Sequence, residues 1–155
     1  MSTVNCPLSI KKYKIMTIKQ LSIFIENKAG TLTKVLDLLS KEGIQIIAST
    51  IADTQEFGIY RVICAEPLKA FNILRAANIN VQLTDVLAVK IDDKPGAAAN
   101  VIDIFYKGGI NVAYMYSFLL NGNGVLAIRA VPSDTAHELM VLNKIDFITE
   151  DDLKK

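Results

Sequence analysis

An internal repeat governs the possible folds of this chain: moved by 66 positions, the sequence falls on itself without a gap from about residue 21 to the C-terminus. Leu21 falls on Leu87, Ile25 on Ile91, Val35 on Val101, Asp37 on Asp103, Gly43-Ile44 on Gly109-Ile110 and Gly58 on Gly124. The junction Glu26-Asn27-Lys28-Ala29-Gly30-Thr31-Leu32 recurs as Asp92-Asp93-Lys94-Pro95-Gly96-Ala97-Ala98. A solenoid generally needs three or more repeats to bury its core, so two copies imply two small homologous domains. The expected boundaries are 20–85 and 86–150, with a leader or extension at 1–19 and a tail at 151–155. Units of this size are marginal alone, which predicts packing of the halves on one another and on a second chain.

Within each copy the period of apolar residues alternates between two and 3.6. Leu21, Ile23 and Ile25 mark a strand, and Leu32, Val35, Leu36 and Leu39 a helix that Gly43 stops. Ile44 to Ala52 and Ile59 to Cys64 form a hairpin around the turn residues 53–58. A helix entered at Glu66-Pro67 and a strand from Ile79 to Leu83 complete the unit. The second copy repeats this: Asn121-Gly122-Asn123-Gly124 makes its hairpin turn, Ser133 is the expected N-cap of its second helix, and Ile145 to Ile148 is its last strand. The predicted fold class is α+β, two ferredoxin-like βαββαβ domains.

Composition removes several functions. With 17 basic and 16 acidic residues interspersed along a chain of net charge +1, there is no clustered positive surface for nucleic acid. Two cysteines support neither a disulfide framework nor a four-ligand zinc site, and Cys64, inside an apolar run, reads as a buried thiol. The opening residues carry Lys11, Lys12 and Lys14 and no uninterrupted apolar stretch, so no signal peptide or membrane span is expected and the cytoplasm is the expected compartment. A single histidine, His137, and the absence of HExxH, P-loop, GxGxxG and nucleophile-elbow motifs predict no catalytic residues, no metal and no cofactor. A metallochaperone would carry CxxC at the first junction. An RNA-recognition domain would show exposed aromatics on its third strands, where Tyr60 alone stands.

The junction itself has chemistry. The first N–H groups of a helix lack partners and lie at the positive end of its dipole, so they suit a carboxylate. Gly30 and Gly96 allow close approach to the backbone, while Asn27 and Asp93 offer a side-chain oxygen to an ammonium. That pairing suits a free amino acid, and the charge on Asp93 should hold an ammonium more strongly than Asn27. The alternative is that the glycines only make the turn and Asn27 and Asp93 only cap the helices. On spacing alone this second reading is the more economical.

The pattern Ile25-Glu26-Asn27-Lys28-Ala29-Gly30-Thr31-Leu32 followed by Gly43-Ile44-Gln45-Ile46 resembles the ACT domain, a small-molecule-binding regulatory module, and the second copy resembles it equally. The likeness spans about residues 20–150 and implies a tandem ACT protein without a catalytic domain. It implies that edge strands, here Ile46 to Ile51 and Val112 to Ser117, pair side by side, with an amino acid held at that interface against the junction loops. The implied ligand-binding residues are Asn27, Ala29, Gly30, Thr31, Leu32, Ser49 and Ile51 in the first copy. In the second they are Asp93, Pro95, Gly96, Ala97, Ala98, Met115 and Ser117. Ala29 stands against Pro95 and Thr31 against Ala97, so the two loops need not bind alike.

Strand parity places Ile44, Ile46, Ala48, Ile110, Val112, Tyr114 and Tyr116 toward the helices and leaves Phe24, Ile47, Ile51, Ile59 and Ile63 outward. Such an apolar outward face predicts a homodimer or larger homo-oligomer. The implied partners are a free amino acid, a second copy and a metabolic enzyme. The alternative function is an ACT pair serving as a structural or partner-regulating subunit without its own ligand.

Overall fold

The computed structural model describes residues 16–53 and 55–154. The segment 1–15, most of the expected leader, lies outside the described residues, and β1 begins at Thr17. The elements in chain order are β1 (Thr17–Glu26), α1 (Thr31–Lys41), β2 (Ile46–Asp53), β3 (Phe57–Cys64), α2 (Pro67–Ala76) and β4 (Val81–Ile91). They continue as α3 (Ala97–Lys107), β5 (Asn111–Leu120), β6 (Asn123–Val131), α4 (Ser133–Leu142) and the single turn α5 (Glu150–Leu153). The chain forms two compact units, one built on residues 19–85 and one on residues 86–152 together with 16–18. Each is an α+β unit of the βαββαβ plan, and β4 gives residues 81–85 to the first and 86–91 to the second.

In the first unit β3 pairs antiparallel with both β1 and β2, and the Phe24 amide donates to the Asn80 carbonyl at 2.9 Å as the chain enters β4. Alternate residues on one face of β1 and β3 meet the helices: Leu21, Ile23, Tyr60, Val62 and Cys64 pack with Val35 and Leu39 of α1 and Ala70 and Leu74 of α2. Each fully buried side chain of this size contributes about 1.5–3 kcal/mol relative to exposure, so this cluster is what holds the two helices on the sheet.

The second unit repeats the arrangement at the same offset. Ile25↔Gly58 becomes Ile91↔Gly124, Leu21↔Val62 becomes Leu87↔Ile128, and Ile46↔Cys64 becomes Val112↔Ala130. Its core joins Leu87, Val89, Leu126 and Ile128 to Val101 and Phe105 of α3 and Ala136 and Met140 of α4. The expected last strand, Ile145 to Ile148, is reduced to one bridge, Val89↔Phe147, with 2.9 Å bonds from Lys90 N to Asp146 O and from Ile148 N to Ala88 O.

All four long helices end alike. The amides of Ile44, Ile79, Ile110 and Ile145 reach back to the carbonyls of Leu39, Leu74, Phe105 and Met140 at 2.9–3.0 Å, each across a residue of positive φ. That residue is Gly43 or Gly109 after the first helix of a unit, but Asn78 (φ 58°) and Lys144 (φ 51°) after the second. This is the Schellman arrangement, in which a left-handed residue lets the last carbonyls find donors.

Two sequence expectations are corrected by β-bulges at equivalent positions. In β2 the register shifts between Ile46 and Ala48, so Ala48 opposes Ile63 and Ser49 opposes Val62; in β5 it shifts between Val112 and Tyr114. The extra residue reverses parity beyond it. Ala48, Tyr114 and Tyr116 therefore share the face of Ile63, Arg129 and Ala127, away from the helices, whereas Ser49, Ile51, Met115 and Ser117 share the helix-side face of Val62, Tyr60, Ile128 and Leu126. The outward apolar set also changes: Ile51 leaves it, Ile63 is fully buried, and Phe24, Ile47 and Ile59 are half-buried. Ser133 is the first residue of α4 and makes no cap, that position being Pro132.

Candidate functional site

Both junctions have one backbone geometry. The Lys28 amide bonds to Glu26 O at 2.9 Å, the Thr31 amide to Lys28 O at 3.4 Å and the Lys34 amide to Gly30 O at 3.0 Å. Their counterparts are Lys94 to Asp92 at 2.9 Å, Ala97 to Lys94 at 3.3 Å and Asn100 to Gly96 at 3.0 Å. The helix caps are Gly30 (φ 91°, ψ −17°) and Gly96 (φ 86°, ψ −7°), with no side-chain cap bond at either. Asn27 and Asp93 do not cap. They sit three residues upstream and are exposed, and the Asn27 amide closes the loop onto Glu56 O at 3.0 Å. A Cβ at Gly30 or Gly96 would meet nothing within 4 Å. The glycines are therefore required by their φ and not by a crowded neighbour.

The loops differ in their side chains. Thr31 Oγ1 lies 2.7 Å from Glu26 O and 2.9 Å from Lys28 O, so its hydroxyl staples the first loop, and Ala97 has no such group. Each loop carries an exposed ion pair, Lys28–Glu26 at 2.5 Å and Lys94–Asp92 at 3.3 Å. The Leu32 and Thr33 amides, with no acceptor among the described residues, open the helix next to them.

Around the first junction lies a groove of about 820 Å³, within the range of small-molecule sites. It is lined by Glu26, Lys28, Ala29, Gly30, Thr31 and Lys34 of the junction and α1 together with Phe24, Phe57, Asn78 and Asn80. Of the residues expected from sequence, it brings together Ala29, Gly30 and Thr31. Leu32 is half-buried against the first core, Asn27 stands beside the groove without lining it, and Ser49 and Ile51 are exposed on β2 outside it. In the second unit Asp93, Pro95 and Gly96 are exposed, Ala97 and Ala98 half-buried, and Met115 and Ser117 exposed on β5. A hollow of about 320 Å³ there is bounded by Met140, Lys144 and Phe147 and includes none of them.

Sequence reasoning missed Phe57, Asn78 and Asn80. Phe57 fell within a segment read as turn, and Asn78 signals its place only through the positive φ that asparagine tolerates. His137 is buried on α4. No cluster of three potential metal ligands occurs among the described residues, and no described helix is long and apolar enough to cross a membrane.

Comparison with known proteins agrees with this architecture. Protein BT0572 from Bacteroides thetaiotaomicron superposes with a TM-score of 0.84 at 39% identity, over 90% of this chain and 97% of that one. The ligand-free regulatory subunit of aspartate kinase from Thermus thermophilus gives a TM-score of 0.59 at 14% identity, over 85% and 93%. The regulatory subunit of aspartate kinase from Thermus flavus gives 0.53 at 12%, over 79% and 92%. The two kinase subunits share the fold with this chain. No curated protein matches it. The description ACT domain pair matches residues 16–155, and the chain belongs to that family.

Proposed function

We propose that this ACT pair is a non-catalytic regulatory protein that binds a free amino acid at its first strand-to-helix junction. The observation that carries the reading is the groove beside Gly30, where the start of α1 at Gly30 and Thr31, the Lys34 side chain and apolar residues line one space. A carboxylate is served by the Leu32 and Thr33 amides and the Lys34 ammonium. An ammonium is served by Glu26 or by the amide oxygens of Asn78 and Asn80, which line the same space. The fold shared with regulatory subunits of aspartate kinase supports a regulatory role, with a metabolic enzyme as the downstream partner. Binding to β2 residues Ser49 and Ile51 belongs to an assembled form in which the free edge of β2 meets a second copy.

Thermal-shift measurements against the common amino acids test the proposal. Binding only the folded state raises stability by about 2.7 kcal/mol at a hundredfold excess over Kd, so at least one amino acid at millimolar concentration should raise the transition. A flat response to all of them would leave the alternative, an ACT pair acting on a partner without its own ligand.

A further inference from the structure

The two repeats keep one backbone at their junctions and differ sharply in what faces the space beside them. The β1–β3 register sets Phe24 opposite Ile59 and Glu26 opposite Phe57, so Phe24, Glu26, Phe57 and Ile59 share a sheet face. Phe24 and Phe57 are diagonal cross-strand neighbours, a separation that aromatic side chains span. Both line the groove, Phe24 half-buried and Phe57 55% exposed. Sixty-six residues on, their places are taken by Lys90 and Asn123, while Lys34 is replaced by Asn100 and Asn80 by Asp146. The first repeat thus has two aromatic residues and Lys34 along its groove, whereas the second has no aromatic at the positions of Phe24 and Phe57 and no cation at that of Lys34.

A single exposed apolar residue needs no explanation. Here two phenylalanines line the same groove as Gly30, Thr31 and Lys34 at the start of α1. A groove lined by a cation, a helix start and two aromatic residues complements a molecule that carries a carboxylate and a large apolar group.

We infer that the first-repeat groove selects an amino acid with an aromatic or large apolar side chain, with Phe57 and Phe24 forming the wall that receives it. This rests on the proposed amino-acid binding and adds its specificity. The second repeat, with Lys90 and Asn123, is not a copy of this site.

The test compares phenylalanine, tryptophan and leucine with glycine, serine and aspartate by isothermal titration of the full chain. It is repeated with Phe57→Asn, which installs the residue of the second repeat at an exposed strand end that the fold tolerates. The expected result is binding of the aromatic or large apolar set at least tenfold tighter than the small and charged set. Phe57→Asn should then weaken phenylalanine about tenfold, the scale of one lost aromatic contact with its buried area, and keep the wild-type unfolding midpoint. Tighter binding of serine or aspartate than of phenylalanine would overturn the specificity and leave amino-acid binding intact. Undiminished phenylalanine affinity in Phe57→Asn would overturn the assignment of the wall. No heat with any of the six would overturn both this inference and the function on which it rests.

Discussion

Replacing Gly30 by alanine isolates the backbone requirement of the junction. At φ 91° and ψ −17° the residue lies in a region that an L side chain occupies at a cost. A Cβ there would meet no atom within 4 Å, so packing contributes nothing to the change. The left-handed conformation costs a non-glycine residue about 1–2 kcal/mol, and alanine recovers about 0.4–1 kcal/mol by restricting the unfolded chain. The net destabilisation is about 1 kcal/mol. Gly96→Ala, at φ 86° with equally open space, should cost the same. The double variant should lose about 2 kcal/mol, since changes at independent sites add. Gly58→Ala is the control: Gly58 is not among the positive-φ residues and its Cβ would lie 3.4 Å from Ile25 Cγ1, so its change should stay within about 0.5 kcal/mol. Urea unfolding followed by circular dichroism reads these differences as shifts in midpoint at constant slope. A Gly30→Ala protein with the wild-type midpoint would refute the reasoning that φ, and not space, keeps glycine at this position.

Three further outcomes follow from particular bonds and edges. Thr31→Ala removes a hydroxyl that bonds two loop carbonyls and should lower stability by about 1 kcal/mol, measurable in the same urea titration; Ala97→Ser tests the converse in the second loop. Lys144→Gly should raise stability by about 0.5–1 kcal/mol, because Lys144 holds φ 51° where glycine pays no steric cost. β2 and β5 each pair with one strand among the described residues, and β5 (Asn111–Leu120) has no charged residue and no proline to discourage edge pairing. Self-association is therefore expected. Light scattering should give a mass above 17.0 kDa at micromolar concentrations, and Met115→Lys on β5 should lower it if that edge is used.

The fold was legible in the sequence because each element advertises its period. Leu21, Ile23 and Ile25 alternate and are found on one face, Val35 and Leu39 keep helical spacing and are buried, and the 66-residue offset reappears in the strand register itself. The edge strands were harder to read. An extra residue at Ile47 or Ala113 leaves the composition of the strand unchanged yet turns every later side chain to the other face, which is why Tyr114 and Tyr116 were expected among the helices and are not there. At the junctions Asn27 and Asp93 are good capping types, but three residues of loop separate them from α1 and α3, and glycine occupies the cap itself. The groove lining follows no sequence period. Phe24 and Phe57 are distant in sequence and meet only through a register that places Glu26 opposite Phe57.

Two-dimensional amide NMR of the uniformly ¹⁵N-labelled chain, titrated with phenylalanine, addresses the binding site most directly. The account predicts saturable shifts gathered on Lys28 to Lys34, Phe57 and Asn78 to Asn80, largest at the Leu32 and Thr33 amides, while Gly96, Ala97 and Ala98 stay in place. Saturable shifts centred on Asp93 to Ala98, with Gly30 to Lys34 unmoved, would contradict it.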